Sequence, residues 1–129
     1  TSNIERISDH AMNVAGYSQM MDIKAITVSE QAYSEVDEIK RTCKSAMDIL
    51  AETDTDIAGW HSKVAQLEQQ IDDMTVEYRD NMYKRVKEGN CSYEGNILFS
   101  EMLTDFERIG DHALNIADEM LKIAKVYKL

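Results

Sequence analysis

A chain of 129 residues with 43% apolar and 29% charged side chains can bury one sizeable core and has a globular composition. Fourteen Lys and Arg against 24 Asp and Glu leave a net charge of −10, which argues against nucleic acid and anionic membrane surfaces, since both are bound by clustered cations. No apolar run exceeds three residues, so no membrane insertion is expected of this stretch, and zero proline with eight Met points to long helices.

Apolar residues recur at spacings of three and four along the whole chain, the signature of amphipathic helices. A first helix is expected over residues 2–24, with Ile4, Ile7, Ala11 and Val14 on one stripe. The chain starts at Thr1 and enters this pattern at once, as a piece of a longer protein does. A second helix is expected over 28–51, opened by Thr27 and Glu30 as a capping box and striped by Val36, Ile39, Cys43, Ala46 and Leu50. Thr53 or Asp54 is placed to cap a third, running to Glu88 with Ile57, Trp60, Val64, Leu67, Ile71, Met74 and Tyr78 in strict 3-4 alternation. Gly89 and Asn90 suit the left-handed turn that ends a helix. A fourth begins near Ser92, carries Leu98, Met102, Phe106, Ile109, Ala113, Ile116, Met120 and Ile123, and ends with Lys122, Lys125 and Lys128 against the helix dipole. Short connections make neighbours antiparallel, so the fold class is all-α, an antiparallel bundle of long helices. Cys43 and Cys91 lack CxxC spacing and read as buried free thiols.

The two ends of the chain repeat each other. Residues 4–15 read IERISDHAMNVA and residues 106–117 read FERIGDHALNIA, identical at eight of twelve positions with an offset of 102. Such a separation marks a duplicated unit of about 100 residues. Residues 1–26 are then the final helix of a truncated first repeat, and 27–129 a complete second repeat of three helices.

These words resemble the signature of the PhoU family, an ERIGDHA-x-NIA-type stretch on the third helix of each of two tandem three-helix bundles. They stand here as Glu5-Arg6-Ile7-Ser8-Asp9-His10-Ala11 and Glu107-Arg108-Ile109-Gly110-Asp111-His112-Ala113. The segment from Val64 to Cys91, with Arg85 and Gly89, is most similar to PhoU-like domains fused to sodium–phosphate cotransporters. That subfamily often has a His shortly before the Arg. Here the residues are Asn81-Met82-Tyr83-Lys84-Arg85, so any role of that His is lost or moved.

The resemblance implies a multinuclear iron or zinc cluster held by Glu or Asp, three residues, then Asp. Glu5/Asp9, Glu68/Asp72 and Glu107/Asp111 fit that pattern. Residues four apart share a helix face, and two such pairs on adjacent helices surround one space with hard oxygen ligands. The pairs at 68/72 and 107/111 belong to one repeat and form the best-matched set; Glu5/Asp9 is an orphaned half-site. Spacing alone does not single them out, because the chain has seven acidic i, i+4 pairs, and each taken alone reads as a solvated face. His10, His112, Asn13 and Asn115 read as hydrogen-bonding residues between helices, and Gly110, Ser8 and Ala113 as points of close helix approach. No nucleophile–base pair, Gly-rich phosphate loop or Lys/Arg cluster is visible, so neither catalysis nor direct phosphate binding is expected.

The expectation is a regulatory domain at the cytoplasmic face of the membrane, linked to sodium–phosphate transport, whose partner is a transporter membrane domain or a phosphate-signalling protein. The alternatives are a free-standing PhoU-type negative regulator and a purely structural helical interaction module. A carboxylate-bridged metal enzyme is disfavoured because no Glu-x-x-His occurs. Helix faces left open by a truncated repeat make the fragment a candidate homo-oligomer.

Overall fold

The computed structural model describes residues 2–24, 26, 28–52 and 56–127. Among these described residues it is an all-α bundle of four helices: α1 (Asn3–Ile23), α2 (Glu30–Ala51), α3 (Ile57–Lys87) and α4 (Tyr93–Tyr127). Each expected helix is present, with bounds within a few residues of the pattern in the sequence. The caps differ. Ser29 caps α2 by accepting from Ala32 N, and Asp56 caps α3 by accepting from Gly59 N. Thr27, Thr53 and Asp54, the capping residues expected from sequence, lie outside the described residues, as does Lys128. Gly89 takes φ 73°, and Gly89 N and Asn90 N return to the carbonyls of Val86 and Arg85, the paired bonds that close a helix C-terminus on a left-handed residue.

α2, α3 and α4 form an up-down-up unit. The ion pair of Arg85 with Glu35 and the hydrogen bond that Tyr78 donates to Glu38 run α2 antiparallel to α3. His61 with Asp118 near one end and Arg79 with Thr104 near the other do the same for α3 and α4. The core joins Ile39 and Cys43 of α2, Ile71, Tyr78 and Met82 of α3, and Phe99, Met102, Leu103, Phe106 and Ile109 of α4. A second cluster, Trp60, Val64, Ala113 and Ala117, fills the far end. Burying side chains of this size contributes about 1.5–3 kcal/mol each before entropy is counted. At Gly110 the helices approach closely, where an added Cβ would stand 3.1 Å from Ile71 Cδ1.

α1 packs on α4 and contributes no fully buried side chain. Here the expected stripe is corrected. Ile7 and Val14 are half-buried, but Ile4 is 71% exposed and Ala11 is exposed, and the half-buried positions are Asn3, Ile7, His10, Val14, Tyr17 and Met21. The stripe turned because α1 touches one helix, not two, and two polar residues sit in that contact. On α4, Met120 and Ile123 are exposed, while Ala117 and Ala124 are buried. Polar groups also enter the interior: Glu35, Thr75, Arg85 and Asp105 are all buried. Cys43 is buried as expected, and burial pushes its thiol up to about 12, whereas Cys91 is half-exposed.

Candidate metal centre

α3 and α4 run side by side past Gly110, close enough for carboxylates on their flanks to meet. One oxygen from each of Glu68, Asp72 and Asp111 lies within 4.8 Å of the others. Glu68 and Asp72 sit one turn apart on α3, and Asp111 faces them from α4, next to the glycine that lets the helices close up. Glu68 and Asp72 are half-buried and Asp111 is exposed, so the group opens to solvent on one side.

Glu107 stands one turn before Asp111 and is half-buried. It lies outside the converging trio but inside its field. Burial, then the charges of Asp111 and Asp72, hold its carboxyl above the usual range, against the opposing pull of Arg79 and Arg108. Glu68 is affected most. Burial, then hydrogen bonds and charge from Asp72 and Asp111, push its carboxyl up to about 8. The neighbouring carboxylates and burial disfavour a further negative charge, so near neutrality Glu68 keeps its proton. Hard oxygen donors converging from two helices are of the chemistry that suits a di- or trivalent ion.

Of the six residues expected from the sequence, the structure thus brings three together and puts a fourth beside them. Glu5 and Asp9 are exposed on α1 and are no part of this group; Glu5 instead accepts from the Ser2 hydroxyl. The motif histidines are engaged elsewhere. His10 Nδ1 donates to Asp105 at 2.7 Å, His112 Nδ1 donates to Asn3 at 3.0 Å, and the two rings stack with centroids 5.7 Å apart. Burial, then His10 and Arg6, lower the pKa of His112, which keeps it a neutral donor.

The sequence reading missed Asp105. It is 5% exposed, lies among Met102, Phe106 and Ile109, and takes hydrogen bonds from His10 and, at 3.4 Å, from Asn13. A signal existed: extending the repeat one residue upstream pairs Asn3 with Asp105. The buried Glu35–Arg85 pair, 2.8 Å between Oε1 and Nη1, was also missed. Asn81 donates to the other oxygen of Glu35 at 2.7 Å, and the Arg85 guanidinium lies 5.1 Å from the centre of the Phe99 ring.

The PhoU domain model matches residues 34–120. The chain is 27% identical over 132 residues to a Thermotoga maritima protein described as phosphate-specific transport system accessory protein PhoU homolog 1. The match covers 95% of this chain and 53% of that protein, so the chain spans about half the length of this relative. No solved structure gives a significant match.

Proposed function

This chain belongs to the PhoU family, and from that premise we propose that it is a non-enzymatic regulatory module of inorganic phosphate transport whose α3–α4 carboxylates bind metal. The observation that carries the metal reading is the meeting of Glu68, Asp72 and Asp111 oxygens within 4.8 Å. These three residues, with Glu107 alongside, would hold iron or zinc, more than one ion being bridged by shared carboxylates. The bound cation would neutralise the cluster and tie α3 to α4. The chain's own part is to fix four acids on two helices whose separation Gly110 sets.

The regulatory reading leans on the family and on the description of the Thermotoga relative. Contact with a partner would run through helix surfaces, at the cytoplasmic face of a membrane. No described helix is long and apolar enough to cross one. We favour a parent protein of the sodium–phosphate cotransporter type over a free-standing regulator, on the resemblance between Val64 and Cys91. Sequence upstream in the gene separates the two: several apolar stretches of about 20 residues establish the fusion, and one further bundle without them refutes it.

The two-repeat reading has its own support. Phe106, Gly110, Ala113 and Ala117 of α4 are buried under α2 and α3, while the residues 102 earlier, Ile4, Ser8, Ala11 and Ala15, are exposed on α1. That contrast fits residues 1–26 as the closing helix of a first unit and 27–129 as a second.

The metal reading is tested by elemental analysis of tag-free protein purified with and without added iron or zinc. Wild type should carry metal, and Glu68→Ala/Asp111→Ala should carry at least tenfold less. Equal content in both removes the cluster. The regulatory reading is tested by phosphate uptake in cells carrying Asp111→Asn in the parent gene, where unchanged uptake at both high and low phosphate counts against it.

A further inference from the structure

α1 and α4 carry near-copies of one motif, residues 4–15 and 106–117, and the structure packs one helix against the other. The contact is reciprocal under the offset of 102. His10 and His112, equivalent positions, stack on each other with an interplanar angle of 15°. Asp105 accepts from His10, and its equivalent Asn3 accepts from His112. Reciprocity of this kind marks an isologous, two-fold contact, here within one chain. Any such seam between copies has rival pairings. Besides α1 with α4, an α4 could pair with the α4 of a second molecule, or an α1 with another α1.

The copies differ where it matters. Asp105 is buried at the centre of the seam, and the groups that meet it from α1 are His10, Asn13 and Tyr17. Tyr17 also lies near Glu101. The residue equivalent to Tyr17 on α4 is Glu119. We infer that Asp105 and Glu101 on α4 make its seam a selective docking surface, accepting an α1-type helix and rejecting a second α4. In an α4–α4 pair, each Glu119 would stand against the Asp105 and Glu101 of the other molecule, two like-charge clusters around a buried carboxylate. In an α1–α1 pair, Asn3 would replace Asp105, and the histidine–carboxylate bond of the observed seam would be lost. The mixed pair keeps one such bond and places a neutral phenol against the acids. Repulsive elements that disfavour the wrong partner are a general means of specificity. The need is real in a duplicated chain, because its own second copy is always present at the same concentration.

The test uses the whole chain, with amide hydrogen exchange of α1 and light-scattering mass as readouts. Tyr17→Glu should raise exchange across residues 7–21 at least tenfold and leave α3 unchanged. Adding Asp105→Asn and Glu101→Gln to Tyr17→Glu should restore α1 to within threefold of wild type. Tyr17→Phe, which keeps the ring and adds no charge, should also stay within threefold. With α1 released, Tyr17→Glu should add no dimer at high concentration, whereas Tyr17→Glu/Glu119→Tyr should. The inference is overturned if Tyr17→Glu leaves α1 as protected as in wild type, or if Tyr17→Phe releases it equally. It is also overturned if removing the acids restores nothing, or if the two chains do not differ in mass.

Discussion

Metal binding to this chain should depend on pH in a way that Glu68 sets. In the metal-free protein its carboxyl titrates at about 8, so near neutrality a cation entering the trio displaces a proton from it. One displaced proton makes the apparent affinity rise about tenfold per pH unit well below the pKa and level off above it, or about 50-fold between pH 6 and pH 8. Glu107, also held above the ordinary carboxylate range, adds to the slope and does not reverse it. Calorimetric titration with zinc in two buffers of different ionisation enthalpy reads both the affinity and the protons released. Glu68→Gln, which offers a neutral amide in place of the carboxyl, should bind more weakly and lose most of the slope. Affinity changing less than threefold from pH 6 to 8 in wild type would refute the reasoning, as would a Glu68→Gln chain with the wild-type profile.

The same carboxyl makes the metal-free fold sensitive to base. A carboxyl whose pKa is raised by folding contributes its stability in full below the unfolded value of 4.5 and loses it as pH rises through about 8. Metal-free wild type should therefore melt lower at pH 8.5 than at pH 5.5, and Glu68→Gln should narrow that gap. The buried Glu35–Arg85 pair makes a separate prediction: Arg85→Met alone strands a buried carboxylate and should cost about 3–5 kcal/mol. For a chain of this length that is a fall of roughly 10–20 °C in Tm, checked by calorimetry. Glu35→Leu/Arg85→Met should recover most of it, because the pair is poorly aligned, with Arg85 Nε and Nη1 and Glu35 Oε1 lacking well-formed hydrogen bonds. Gly16→Ala, on a helix with open space around the added methyl, should stabilise by about 0.5–1 kcal/mol, whereas Gly89→Ala, at φ 73°, should destabilise by about 1 kcal/mol, both read by urea denaturation. In the folded protein a thiol reagent should modify Cys91 and spare Cys43, whose thiol is buried and pushed up to about 12.

Much of this was legible in residue order, for identifiable reasons. Helix periodicity depends on local geometry, so Val64, Ile71 and Tyr78 on α3, and Met102, Phe106 and Ile109 on α4, could be placed on inward faces from spacing alone. The i, i+4 acidic pairs are equally local; the duplicated motif holds two of the seven, and the resemblance to the PhoU family added Glu68/Asp72. What spacing cannot give is which face meets which neighbour. α1 has the same motif as α4, yet Ile4 is exposed where Phe106 is buried, because α2 and α3 cover α4 alone.

The sequence by itself determined four helices, their order, a repeat at 102 residues and an excess of acid with a patterned subset. Each is a property of neighbours within a few residues or of direct comparison along the chain. The tertiary structure decided which acids meet. It joined Glu68 and Asp72 to Asp111, held Glu107 at their edge and left Glu5 and Asp9 on an open face. It also turned the two histidines of the repeat toward each other and buried Asp105 beneath them. Those outcomes depend on how closely α3 approaches α4 at Gly110 and on the two-fold relation of α1 to α4. Both are distances between segments far apart in sequence, and side-chain packing across the helices sets them.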